Sequence, residues 1–161
     1  MEHIRLSTTA DIPALRQLWT LAFGDGGAYL DNFFDCYYRP ERMIVLEQDS
    51  EVVSFVNGMV TNEADLRDEM YADASLHNPN GAWQMIFGVN TIPSHRRHGY
   101  AGQLIQRAIA DAKAQGRKGL VLTCKPEKVV YYTKFGFMNE GISANSTHGG
   151  AVWHQMRLTF E

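Results

Sequence analysis

A chain of 161 residues with 45% hydrophobic and 20% charged side chains has the balance of one soluble globular domain that buries a single core. Its 15 Lys and Arg against 18 Asp and Glu leave it slightly acidic, which argues against a broad nucleic-acid face and makes any basic cluster a local feature. Cys36 and Cys124 stand far apart with no CxxC or Cys/His spacing, so neither a disulfide framework nor a metal site is expected. The N-terminus lacks the basic-then-apolar order of a signal peptide, and no apolar run nears the roughly 20 residues that span a bilayer. The expectation is a cytoplasmic protein with no membrane and no nucleic-acid partner.

His3 to Ser7 reads as a first strand. A hydroxyl cap at Thr8 or Thr9 then opens a helix with apolar residues at Ile12, Leu15, Leu18 and Leu21/Ala22. After the break at Gly24-Asp25-Gly26-Gly27, a second helical segment, AYLDNFFDCYY, runs to Arg39-Pro40. RMIVLEQDSEVVSFVNGMV is a hairpin turning at Gln48-Asp49-Ser50. A polar excursion follows from Asn62 to Gly81, with a short helix expected near Ala64 to Tyr71. WQMIFGVNT is a central strand, GYAGQLIQRAIADAKAQG a helix, KGLVLTC a buried strand and PEKVVYYTKFGF a shorter helix ending at Gly136. The tail GISANSTHGGAVWHQMRLTF predicts two strands around His148-Gly149-Gly150. A hairpin combined with a strand-helix-strand crossover gives an α/β sheet of mixed direction.

The chemistry concentrates where the central strand gives way to its helix. In RRHGYAGQLIQRAIADA, apolar positions at helical spacing place Gly99 at the first turn, where unpaired amides and the helix dipole favour an anion. Arg96 or Arg97 adds charge. A solvated basic turn is the plain alternative, and the stretch lacks both GxxxxGK(S/T) and GxGxxG, which argues against ATP and NAD. The position at the carboxyl end of a central strand favours a ligand.

Arg96-Arg97-His98-Gly99-Tyr100-Ala101 resembles the Arg/Gln-x-x-Gly-x-Gly/Ala signature of the GNAT superfamily of acetyl-coenzyme A dependent N-acyltransferases, and YYTKFGF, Tyr131 to Phe137, resembles its FYEKLGF-like segment. NPNGAWQMIFGVNTIP, LTCKPEKVVYYTKFGF and STHGGAVWHQM are similar to bacterial relatives of the arylalkylamine N-acetyltransferase branch. The resemblance implies one GNAT domain over residues 1–161, an α/β (α+β) fold whose mixed, mostly antiparallel sheet has splayed central strands flanked by helices. It implies acetyl-coenzyme A as co-substrate, a small-molecule or peptide amine as acceptor, and room for a homodimer.

Carried over by position, Val89, Asn90 and Thr91 would bond pantetheine through their backbone. Arg97, His98, Gly99, Tyr100, Ala101 and Gly102 would cradle the pyrophosphate. An amide near Val89 would face the developing oxyanion, a contribution of about 3 kcal/mol in comparable sites. Tyr132 matches the tyrosine that protonates the departing thiolate, a sensible transfer for a phenol of ordinary pKa near 10. The general base is not legible: Met85 and Phe87 stand where the vertebrate serotonin enzyme has two histidines on its fourth strand. Glu63, Glu69, Asp73, His77 and His148 are the alternatives, each more in keeping with a solvated loop. Cys124 reads as a small buried hydrophobe rather than a nucleophile. The missing histidines motivate a second expectation, a non-catalytic acyl-coenzyme A binding or sensing module.

Overall fold

The computed structural model describes residues 2–23, 43–147 and 150–161. The second helical segment expected over residues 28–38 lies outside the described residues, as do His148 and Gly149. Among the described residues seven strands form one sheet: β1 (Glu2–Leu6), β2 (Met43–Gln48), β3 (Glu51–Thr61), β4 (Trp83–Thr91), β5 (Gly119–Cys124), β6 (Met138–Ile142) and β7 (His154–Thr159), in the order β1-β2-β3-β4-β5-β7-β6. Four α-helices are described: α1 (Ile12–Phe23), α2 (Glu69–Ala72), α3 (Tyr100–Ala114) and α4 (Val129–Thr133). The pairs β1–β2, β2–β3, β5–β7 and β6–β7 run antiparallel, whereas β4–β5 is parallel. The expected mixed, mostly antiparallel α+β sheet is present.

The chain divides into two compact units, Met1–Asn57 with Gly88–Ala108 and Gly58–Phe87 with Ile109–Glu161. In the first, Leu15 and Leu18 of α1 pack with Met43, Val45 and Phe55, joined by Ile12, Trp19, Val52 and Ile92. Trp19 stacks on Phe55 with ring centroids 6.1 Å apart. Leu21, expected on this inner face, is instead exposed, and Trp19 fills the role. Truncating Leu15 or Leu18 to Ala would cost about 2–5 kcal/mol. The entry to α1 is fixed from both sides: the Thr8 amide donates to Asp11 Oδ2 at 2.7 Å, and Arg5 grips both Asp11 oxygens at 2.7 and 2.8 Å. The β2–β3 turn puts Asp49 and Ser50 at φ 53° and 70°, the left-handed pair that a tight two-residue hairpin requires.

In the second unit Met59, Leu66, Met70, Met85 and Val121 form the core, with Tyr71, Leu76, Trp83 and Phe87 against it. Leu120, Val121 and Leu122 are all buried, as a central strand covered on both faces demands. The excursion contains α2 at Glu69–Ala72, shorter and later than the stretch expected from sequence. The reason is tertiary. The Leu66 amide donates to Gln155 Oε1 at 3.1 Å, and Asp65 accepts from Gln155 at 2.9 Å and Arg157 at 2.7 Å, so residues 65–66 are held by β7 outside the helix. The PEKVV stretch begins as a 3-10 turn over Pro126–Lys128 before α4. In the tail, the first strand lies upstream of the expected position, at Met138–Ile142. Gly141 at φ 95° accompanies the break in its ladder between Asn139 and Ile142.

Candidate active site

The site builds from the end of β4. Its ladder with β5 runs from Trp83↔Gly119 to Ile86↔Leu122, while β4 itself continues to Thr91. The splayed-strand expectation requires such an early ending. Ser54 of β3 fixes the continuing segment. Its hydroxyl donates to the Asn90 carbonyl at 2.7 Å and shares a 2.8 Å hydrogen bond with Thr91 Oγ1. Since Ser54 has one proton and spends it on Asn90, Thr91 is the donor in the second bond. The Thr91 carbonyl accepts from Arg96 Nε at 3.1 Å. The Asn90 and Thr91 carbonyls, on two of the three residues expected to bond pantetheine through their backbone, thus each accept a side-chain hydrogen bond. Asn90 Nδ2 is buried and has no hydrogen-bond partner among the described residues.

Beyond β4, a 3-10 turn at Pro93–His95 leads into the basic stretch. Arg97 and Gly99 both take positive φ, 68° and 79°. For a non-glycine residue that conformation costs about 1 kcal/mol. At Gly99 a Cβ would meet nothing within 4 Å, so glycine is set by backbone conformation, and open space lies where a side chain would stand. Gln103 donates to the Gly99 carbonyl at 3.1 Å as α3 begins. The Tyr100, Ala101 and Gly102 amides in the first turn therefore have no acceptor within the helix. Arg97, His98 and Gly99 are exposed, whereas Tyr100 is buried and its hydroxyl reaches Gln48 Oε1 at 3.4 Å. The two arginines divide: Arg96 staples the turn to β4, while Arg97 makes no ion pair among the described residues. Val89, Asn90, Thr91 and residues 97–102 all belong to the first unit.

Tyr132 lies in the second unit, on α4. It packs edge-on to Tyr131 at 5.1 Å and to Phe137 at 6.2 Å, and Tyr131 turns to Phe135 at 5.3 Å. Burial pushes the Tyr132 phenol well above the ordinary tyrosine range, with Tyr131 and Cys124 adding to the shift. The sequence-based expectation of an ordinary phenol is thereby corrected: Tyr132 remains protonated across the physiological range and is a weaker acid than assumed. Cys124 is buried, and desolvation, helped by Glu127, pushes its thiol up to about 11. A thiol held protonated is a poor nucleophile.

The candidate bases are mostly committed to structure. Both Glu63 oxygens accept from Arg67 at 2.7 Å, and Asp73 Oδ1 holds the Ser75 amide at 3.0 Å. His77 Nδ1 accepts from the Val60 amide at 3.1 Å. Met85 is fully buried in the second core, and Phe87 lies against Tyr71 at 4.5 Å. Among the described residues no three His, Cys, Asp or Glu side chains converge on a metal-sized centre. Sequence reasoning passed over Ser54 because a lone hydroxyl inside EVVSFVNGMV carries no motif. Its polar character amid β-branched neighbours is the one signal.

The profile of the acetyltransferase (GNAT) family matches residues 12–137. Among curated proteins, none matches the chain. Solved structures of the same fold include the loading GNATL domain of CurA from Lyngbya majuscula, 12% identical with a TM-score of 0.79 over 99% of this chain and 98% of that one. The ribosomal-protein-S18-alanine N-acetyltransferase from Escherichia coli is 18% identical, with a TM-score of 0.69 over 99% and 94%. A GNAT family acetyltransferase from Brucella melitensis in complex with acetyl-CoA is 20% identical, with a TM-score of 0.64 over 100% and 89%. At these identities the structural likeness is one of fold, and the profile match, extending over most of the sequence, supplies the family. The chain belongs to the acetyltransferase (GNAT) family.

Proposed function

We propose that the protein is an acetyl-coenzyme A dependent N-acetyltransferase that moves the acetyl group directly to a primary amine of a small molecule or peptide. One observation carries the reading: in a chain of this family, Gly99, with open space where a side chain would stand, immediately precedes the first-turn amides of residues 100–102, at the start of the helix that follows β4. Those amides and the α3 dipole suit a pyrophosphate, and the exposed Arg97 adds charge. The unpartnered Asn90 Nδ2 and the β4 backbone from Val89 to Thr91 suit the amide-bearing pantetheine arm. The residues present fit the co-substrate.

In the reaction the neutral amine nitrogen attacks the acetyl carbon, an N–C bond forms, the C–S bond breaks and the sulfur leaves as a thiolate that takes a proton. We assign that proton to the Tyr132 hydroxyl. Its raised pKa keeps it protonated and neutral throughout the working range, and makes a hydrogen bond to the developing thiolate the first part of the transfer. The amine loses its proton through water, since Met85 and Phe87 are apolar and packed. The likeness to the arylalkylamine branch rests on sequence segments, and those two residues depart from it, so the acceptor is proposed only as a primary amine. We also propose that residues 1–161 act as one domain in the cytoplasm, with a homodimer compatible with the reading. No helix among the described residues is long and apolar enough to cross a membrane.

Coenzyme A release, measured over a panel of amines including spermidine, tyramine and an alanine-initiated peptide, tests the reading. Amine-dependent release is expected. Tight acetyl-coenzyme A binding without release for any amine would overturn transfer and favour the second reading, an acyl-coenzyme A binding module, which the apolar Met85 and Phe87 motivate.

A further inference from the structure

The start of α3 carries a tier of rings that the amide cradle does not use. Tyr100 is buried and anchored at its far end, its hydroxyl on Gln48. The His98 imidazole stacks on it, with ring centroids 5.5 Å apart and planes 25° from parallel. His95 stands at 6.5 Å from the same tyrosine ring, and its Nδ1 shares a 2.8 Å hydrogen bond with Ser94 Oγ. The tier is therefore fixed at its base and steadied on a second side, while His98 itself is exposed. An imidazole already leaning on a tyrosine has lost much of its rotamer freedom, so a flat ligand that packs on it incurs little further ordering cost.

We infer that His98 is a stacking platform for the adenine ring of the co-substrate. The inference rests on the coenzyme A reading of the cradle and deepens it, giving a side-chain role to a residue otherwise counted for its amide. Two observations favour a base over a phosphate as the group His98 meets. The neighbouring Arg97 is exposed with no ion pair among the described residues, so charge for a phosphate is supplied one residue away. The geometry at His98 is that of a flat ring laid on another flat ring, which an aromatic heterocycle extends and a tetrahedral phosphate does not. Every purine presents such a face, and His and Tyr are among the side chains that hold unpaired bases in this way. The platform would let the protein tell coenzyme A from a pantetheine thioester that lacks the nucleotide.

Calorimetric binding of three probes to the full chain provides the test: coenzyme A, 3′-dephospho-coenzyme A and 4′-phosphopantetheine. His98→Ala should weaken coenzyme A and its dephospho form alike, by roughly tenfold, and leave 4′-phosphopantetheine within twofold. His98→Phe, which keeps an aromatic ring and removes the ring nitrogens, should restore most of the lost affinity. Equal weakening of all three probes, or no weakening, would overturn the platform. So would a loss seen with coenzyme A and absent with the dephospho form, since that assigns the imidazole to the 3′-phosphate. Failure of the unaltered protein to bind coenzyme A at all would overturn the coenzyme A reading and the platform together. Binding that is tight but indifferent to His98 overturns the platform alone.

Discussion

Ser54 holds Asn90 and Thr91 together: one fully buried hydroxyl donates to the carbonyl of the first at 2.7 Å and accepts from the hydroxyl of the second at 2.8 Å. The final residues of β4 are thus fixed by a β3 side chain, and the Ile92 amide beyond them donates to the Val53 carbonyl at 2.9 Å. Ser54→Ala leaves the buried Thr91 hydroxyl without its acceptor, and should lower stability by about 1–2 kcal/mol. Because the same bonds position Asn90, acetyl-coenzyme A affinity should fall several-fold as well. Urea unfolding and calorimetry check the two effects, and an unchanged affinity would show that Ser54 serves folding only.

Gly99→Ala isolates backbone conformation from space. The added methyl meets no neighbour within 4 Å, so the whole folding cost comes from holding alanine at φ 79°, about 1 kcal/mol. The methyl stands in the open space proposed for the pyrophosphate, and co-substrate binding should weaken by more than the stability loss implies. A melt and a binding titration on the same preparation separate these outcomes.

Tyr132→Phe keeps the ring that packs on Tyr131 and Phe137 and deletes the proton. Turnover should fall by about 10²-fold with co-substrate affinity nearly intact, in line with the usual contribution of a positioned acid. Turnover indistinguishable from the parent would remove Tyr132 from the mechanism. Since burial raises the phenol, the parent enzyme should show no loss of rate from Tyr132 ionisation as pH approaches the ordinary tyrosine value.

Alkaline pH should destabilise the fold. Cys124 is held protonated up to about 11 against a reference of 9.0, so the unfolded chain releases this proton first. The associated stability is fully present below the reference value and is lost as pH rises through the folded value. Tyr132 acts in the same direction at higher pH, its folded pKa also being raised. Urea midpoints measured between pH 8 and 11 should decline, with a shallower decline in Cys124→Ala. Equal slopes in the two proteins would refute the assignment.

What the sequence made legible follows from where the stabilising contacts lie. WQMIFGVNT is strongly apolar and bounded by turn residues, and the strand occupies those residues, 83–91. The α3 helix follows from the spacing of Leu104, Ile105, Ala108 and Ala112, all buried, and from Gly116 closing it at φ 76°. The excursion was less legible because Asp65 and Leu66 answer to partners about ninety positions away, in Gln155 and Arg157. Local propensity cannot report such bonds. In the site, the motif pointed to Gly99 and its neighbours, while Ser54, which steadies β4, and the left-handed backbone of Arg97 became visible only with coordinates.

Met85 has no solvent-accessible surface and is enclosed by Met59, Leu66, Met70 and Val121, and Phe87 leans on Tyr71. A histidine grafted at Met85 would enter a filled, apolar compartment, where desolvation disfavours the imidazolium. Placing a basic side chain at Met85 is therefore a matter of excavating a core, with several neighbouring side chains cut back at once.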